Sequence, residues 1–208
     1  MENTAHGCGV LAEHGLSFLI GEDGHRTLFD TGQGLAIRNN AAKFHVDLSS
    51  VDTLVLSHGH YDYTGGVVCL PAKRTPRPVY VHPAAFESKF SLHEHGQVDD
   101  VGMPSSCRSA LMSDSFEIHS TEGPKIADNG VLVTGEVPRH TAYEDVGGAF
   151  FVDEECTVPD SLVDALKRYD VRRVGPCHCT GSRAVQRMQA DLSDRFRLIE
   201  SGTLLEFE

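Results

Sequence analysis

The run Val51-Asp52-Thr53-Leu54-Val55-Leu56, followed at once by Ser57-His58-Gly59-His60-Tyr61-Asp62, constrains this chain more than any other stretch. Apolar residues at successive positions read as a short strand buried on both faces of a covered sheet. The turn after it releases two imidazoles and a carboxylate within five residues. Gly59 lets the backbone fold tightly enough for His58 and His60 to face one point. Imidazole and carboxylate are ligands for zinc or iron, with manganese also open. An isolated His-x-His pair is usually an exposed polar loop. Here the strand before it and Gly65-Gly66 after it favour a metal site.

The same design recurs near the end of the chain. Val171 to Val174 reads as a strand, Gly175-Pro176-Cys177-His178-Cys179-Thr180-Gly181 as a turn, and Ser182 to Ala190 as a helix. If the two strands are neighbours, His178 stands on the same rim as His58 and His60. The expected ligands are therefore His58, His60, Asp62 and His178. Asp62 is also expected to position, or take a proton from, an activated water. Cys177 and Cys179 alternate with His178 along an extended backbone, which turns them away from it toward packing roles.

Other histidines carry weaker signals. His93 and His95 share the spacing of His58 and His60, but no strand leads into them and no carboxylate follows, so they are not expected to hold metal. Residues 91–113 are polar and weakly periodic, and read as a mobile loop able to cover a substrate. His82 ends a strand over Pro78 to Val81 and opens a helix through Phe90. It is either a capping residue or a group standing behind the metal ligands.

The remaining chain alternates strands and helices without repeats or linkers, and 208 residues suit one domain spanning 1–208. Gly15 to Ile20 and Arg26 to Phe29 form a hairpin around Gly21-Glu22-Asp23-Gly24. Asp30 caps a helix over Leu35 to Lys43. Strands follow at Ser115 to Ile118 and Gly130 to Thr134, then a helix from Asp160 to Tyr169. Phe196 to Ile199 and Thr203 to Phe207 close the chain as an edge hairpin.

Eighteen Lys and Arg against thirty Asp and Glu leave a formal charge of −12. That balance argues against nucleic acid or an anionic membrane as partner, while leaving room for a local basic pocket. The six cysteines have no disulfide-framework spacing and fit a reducing cytoplasm. No basic leader with an apolar core and no membrane-length apolar run is present, so a cytoplasmic protein is expected.

Glu13-His14-Gly15-Leu16-Ser17, Leu28-Phe29-Asp30-Thr31-Gly32, the His58 to Asp62 turn, Gly65-Gly66 and the Gly175 to Gly181 turn together resemble the metallo-β-lactamase fold of metallohydrolases. Within it the chain is similar to the branch around dihydropterin-linked phosphate synthases of the methanopterin pathway. The resemblance implies an αββα sandwich of two mixed sheets flanked by helices. It also implies metal-dependent hydrolysis of a small, phosphorylated or pterin-like substrate through a metal-activated water. By the same resemblance, Asp30 stands behind the site and orients an imidazole, a role compatible with capping. Arg139, in Gly135-Glu136-Val137-Pro138-Arg139, becomes a clamp for a substrate anion or else an ordinary exposed arginine, and His140 an extra ligand.

Two departures narrow these implications. Tyr63 replaces a histidine common in the fold, and a phenol with a pKa near ~10 is a poor neutral-pH ligand, which favours one zinc ion over two. The resembled proteins also carry a ligand-bearing strand where this chain runs from Asp153 to Pro159 into a helix, and the first strand, at Met1 to Thr4, looks clipped. Unpaired sheet edges imply a homo-oligomer. The alternative function is a degenerate, non-catalytic family member that binds a ligand or partner. An iron-bearing redox protein would use similar ligands, but the chain has no flavin-binding module.

Overall fold

The computed structural model describes residues 1–93, 96–127, 130–137, 160–180 and 182–207. β1 (Phe18–Glu22) and β2 (His25–Phe29) form a hairpin closed by Asp23 and Gly24 at φ 47° and 79°. Positive φ at both loop positions gives the turn whose twist matches that of the strands. Pairing runs from Phe18 opposite Phe29 to Glu22 opposite His25, so the strands extend into the residues expected as turn.

β2 then runs parallel to β3 (Thr53–Leu56), β3 to β4 (Arg77–Val81), and β4 to β7 (Phe116–Ser120). The sheet order is β1-β2-β3-β4-β7. All four residues of β3 are buried, as its unbroken apolar run requires at the centre of a covered sheet. Leu28, Leu54, Leu56, Val79 and Val81 line one face, against α1 (Ile37–Lys43), the 3-10 segment Gly65–Cys69 and α3 (Ser105–Leu111). Phe29, Val55 and Tyr80 line the opposite face, as the two-residue period dictates, beneath the ribbon of β8 (Lys125–Ile126) and β9 (Leu132–Val133). The mixed α/β architecture with a sheet core is therefore present.

α4 (Asp160–Arg168) and α5 (Ser182–Leu192) form a second apolar cluster through Val163, Ala184, Met188 and Leu192. Among the described residues no helix is long and apolar enough to cross a membrane.

Several expectations are corrected. Residues 91–113 are not one loop: β5 (Phe90–Leu92) pairs with β6 (Val98–Asp100), and α3 follows. The helix is set by Cys107 and Leu111, buried one turn apart. His93 pairs with Asp99 at 3.0 Å across this hairpin. In place of a helix to Phe90, Pro83–Phe86 makes one 3-10 turn, ended by extended backbone at Glu87. The terminal hairpin is replaced by single bridges from Val174 to Phe196 and from Ala5 to Ser201, because the first residues of the chain occupy the partners of Ser201. Arg139, His140, His95 and the stretch from Gly148 to Pro159 lie outside the described residues.

Candidate metal centre

The carboxyl ends of the parallel strands β2, β3 and β4 lead to Asp30, Ser57 and His82 on one rim. After β3 the chain turns through His58, Gly59 and His60 into α2 (Tyr61–Thr64). Gly59 is required there by close approach: a β-carbon would run into the Ala85 backbone. Thr31 ties the next turn down, since its N–H and hydroxyl both donate to the Tyr63 carbonyl at 2.7 and 2.8 Å. Asp62 therefore enters the site from the first turn of a short, pinned helix.

Two imidazoles from distant segments meet Asp62. His178 Nε2 lies 3.1 Å from Asp62 Oδ2, and His14 Nε2 lies 3.2 Å from the same oxygen. The ligand atoms of His14, Asp62 and His178 all fall within 4.8 Å of one another. His178 and Asp62 side chains are 3% and 9% exposed, whereas His14, at 59%, forms a lip open to solvent. Burial raises the Asp62 pKa, but the His178 hydrogen bond and the charges of His178 and His14 outweigh it and hold the carboxyl below its ordinary value. An ionised carboxylate oxygen shared by two imidazole nitrogens is a donor set that fits a divalent ion such as zinc.

His14 was not expected as a ligand, although the run Glu13 to Ser17 carried part of the family resemblance. Its placement depends on Gly15, where φ is 149° and a β-carbon would collide with the Asp62 carbonyl oxygen. Leu16 N–H donates to that oxygen at 3.3 Å. A histidine followed by glycine just before a strand was the available signal.

His58 and His60 pair with each other, Nε2 to Nδ1, at 2.9 Å, and Ser57 Oγ lies 2.9 Å from His58 Nδ1. Burial and the neighbouring His60 push the His58 pKa down to about 4, and burial also lowers that of His60. Both rings are therefore neutral at pH 7. The Tyr63 ring stands between the two groupings, its centroid 4.0 Å from that of His58 and 4.9 Å from that of His178.

Asp30 does not cap α1. Ala36 opens that helix without a side-chain cap of its own, and Glu13 Oε2 accepts from the Leu35 and Ala36 N–H groups at 2.9 and 3.0 Å. Instead Asp30 is fully buried at φ 57°, where its Oδ1 accepts from Ser57 N–H at 2.8 Å. Burial raises its pKa to about 7, against the opposing Ser57 bond. Through Ser57 it braces the strand end that carries His58. His82 Nδ1 accepts from Ala84 N–H at 3.1 Å and so acts as a cap. His82, His58 and Lys89 border a cavity of about 770 Å³ that extends over Phe29 and Val55 beneath β8 and β9.

A rim of parallel-strand ends that gathers imidazoles around a carboxylate defines a metal-dependent, hydrolase-like fold. The chain belongs to the metallo-beta-lactamase superfamily, whose family model matches residues 11–157. It is 31% identical over 146 residues to the uncharacterized protein MJ0448 of Methanocaldococcus jannaschii, a match covering 69% of this chain and 54% of that one. The chain thus spans about half the length of that relative. It is 21% identical over 266 aligned positions to the 7,8-dihydropterin-6-methyl-4-(beta-D-ribofuranosyl)-aminobenzene-5'-phosphate synthase of the same organism, covering 94% of this chain and 90% of the synthase. Among solved structures, Tm1679, described as a metal-dependent hydrolase of the beta-lactamase superfamily, superposes with a TM-score of 0.72 at 20% identity, over 99% of this chain and 96% of that one.

Proposed function

We propose that the chain is a zinc-dependent hydrolase of a small, phosphorylated or pterin-like substrate, with His14, Asp62 and His178 holding one ion. The observation that carries this reading is the Asp62 carboxylate oxygen facing imidazole nitrogens at 3.1 and 3.2 Å. When bound, the ion supplies Lewis-acid polarisation of a substrate oxygen and a water acidic enough to react near neutral pH. Asp62, held below its ordinary pKa, stays ionised and orients a proton of the attacking water. His58 and His60, neutral at pH 7, offer hydrogen bonds rather than charge. At about 4, the His58 pKa is too low for an efficient general base, so its role is orientation.

Two observations support the substrate class. The cavity beside His58 is lined by apolar Phe29 and Val55 and by polar His82, Lys89 and Glu136, a mixture that suits a flat ring system bearing polar substituents. The related synthase is named for a dihydropterin and a phosphate. Arg139 remains a candidate anion clamp on the same grounds of resemblance.

The test is metal analysis of protein purified without chelators, with hydrolysis assays on phosphoesters and lactones. About one zinc per chain and turnover, both lost in His178→Ala, are expected. Tyr63, its ring set between His58 and His178, favours a second reading in which the site binds without turning over. Stoichiometric metal with no hydrolysis of any substrate would select it, and absence of metal would remove both.

A further inference from the structure

The residues that lie across the back of the His178 turn come from the start of the sequence. Glu2 accepts the His178 backbone N–H through Oε1, and Glu2 is itself held by Ser201, whose Oγ accepts from Glu2 N–H at 2.8 Å and donates to the Glu2 carbonyl at 3.2 Å. Asn3 makes three contacts there. Its Nδ2 donates to the His178 carbonyl at 3.0 Å, its Oδ1 accepts from Gly15 N–H at 3.3 Å, and the same Oδ1 lies 2.8 Å from His178 Nδ1.

We propose that Asn3 is a positioning residue that fixes His178 with its proton on Nδ1 and so presents Nε2 as an electron pair to the ion. This rests on the reading of His14, Asp62 and His178 as the metal site. A peptide carbonyl only accepts and a peptide N–H only donates, so the two backbone contacts leave one orientation for the Asn3 carboxamide. Its Oδ1 has no proton to give, and the imidazole must therefore donate from Nδ1. A neutral imidazole carries one N–H, which leaves the lone pair on Nε2.

That atom faces Asp62 Oδ2 at 3.1 Å, and two electron-rich atoms at such a distance need a proton or a cation between them. His178 opens the 3-10 turn His178–Thr180 at a left-handed φ of 43°, a backbone setting that a non-glycine residue keeps only where its surroundings hold it, and the Asn3 carboxamide is part of that hold. Asn3 also joins Gly15 to His178, so one carboxamide locates the segments that bring both imidazoles to Asp62.

The experiment uses full-length, ¹⁵N-labelled protein loaded with zinc, comparing the parent with Asn3→Leu and Asn3→Asp. In the parent, long-range proton-nitrogen spectra should show the His178 Nδ1 protonated and Nε2 shifted as a metal-bound nitrogen. Asn3→Leu should expose the Nδ1 proton to rapid exchange and weaken zinc binding by about 10- to 100-fold. Asn3→Asp keeps an acceptor opposite Nδ1 and should keep both the tautomer and an affinity within a few-fold of the parent. Since Asn3 is exposed, both variants are expected to fold. If the leucine variant does not, the parent tautomer and the aspartate variant still decide. A role confined to the backbone contacts would weaken both variants alike, and that result overturns the proposal. So would zinc bound through His178 Nδ1 in the parent, which leaves the metal site itself standing. Parent protein that holds no zinc, or equal zinc in His178→Ala, overturns the metal site and this inference with it.

Discussion

His58 and His60, two residues apart, lie against each other, with Ser57 and the Tyr63 ring beside His58. His14 and His178 come from opposite ends of the chain and converge on a carboxylate. The first pair is the one that local spacing announces, and burial lowers the pKa of both its rings, which leaves them neutral at pH 7. The second grouping is not announced by any single spacing, but it combines a carboxylate, proximity and an opening to solvent through His14. Spacing in a sequence finds side chains that must be close. Whether they share a carboxylate depends on which loops the sheet brings to one rim.

The largest expected effect separates the two groupings. Asp62→Ala or His178→Ala should lower zinc affinity by more than the roughly 100-fold reached by changes to outer partners, because each removes a donor itself. His58→Ala should cost less than either. Competition titration with a chromogenic chelator measures all three, and a His58→Ala loss equal to that of His178→Ala would merge the groupings into one site. Next in size is Tyr63→His, which replaces the ring between them with a nitrogen donor. Metal per chain should then rise from about one toward two, as read by plasma emission on protein given identical zinc exposure. Two ions already on the parent would show that Tyr63 does not divide the site.

The contrast also explains what was legible beforehand. β3 and its turn were readable because a strand buried on both faces leaves an unbroken apolar run. His178 was readable from its turn and the helix after it, although the strand expected at Val171 to Val174 is only an isolated bridge at Val174. His14 was not, since its approach to Asp62 depends on a glycine at φ 149° lying against a carbonyl far downstream. β5 and β6 were missed because three-residue strands are too short to show a period. Asp30 reads as a helix cap because a helix is expected over Leu35 to Lys43, but α1 begins only at Ile37 and the free N–H groups ahead of it face Glu13. The competing acceptor came from upstream, where a local reading of helix starts does not look.

The smallest expected effect concerns the brace behind the His58 pair. Asp30 is buried with Oδ1 on Ser57 N–H, while Oδ2 has no hydrogen-bond partner among the described residues. Its pKa, about 7 in the fold, stands above the 3.8 of an ordinary aspartate, so the folded state binds the extra proton between those values. Its contribution is thus most favourable below about pH 4, declines as pH rises toward 7, and is level beyond. In an Asp30→Asn variant the amide mimics the protonated acid: its oxygen still accepts from Ser57 N–H, and asparagine tolerates the left-handed φ of 57°. The variant should match the parent near pH 4 and exceed it at pH 8 by an amount on the order of a few kcal/mol. His58, with its pKa lowered to about 4, acts in the opposite sense, adding stability as pH rises from about 4 to 6.5, and it cancels because both proteins carry it. Urea unfolding midpoints at pH 5 and pH 8 measure the difference. Parallel pH dependence in the two proteins would mean that Asp30 is ionised and satisfied in the fold, and that the His58 strand end rests on a charged carboxylate rather than on a protonated one.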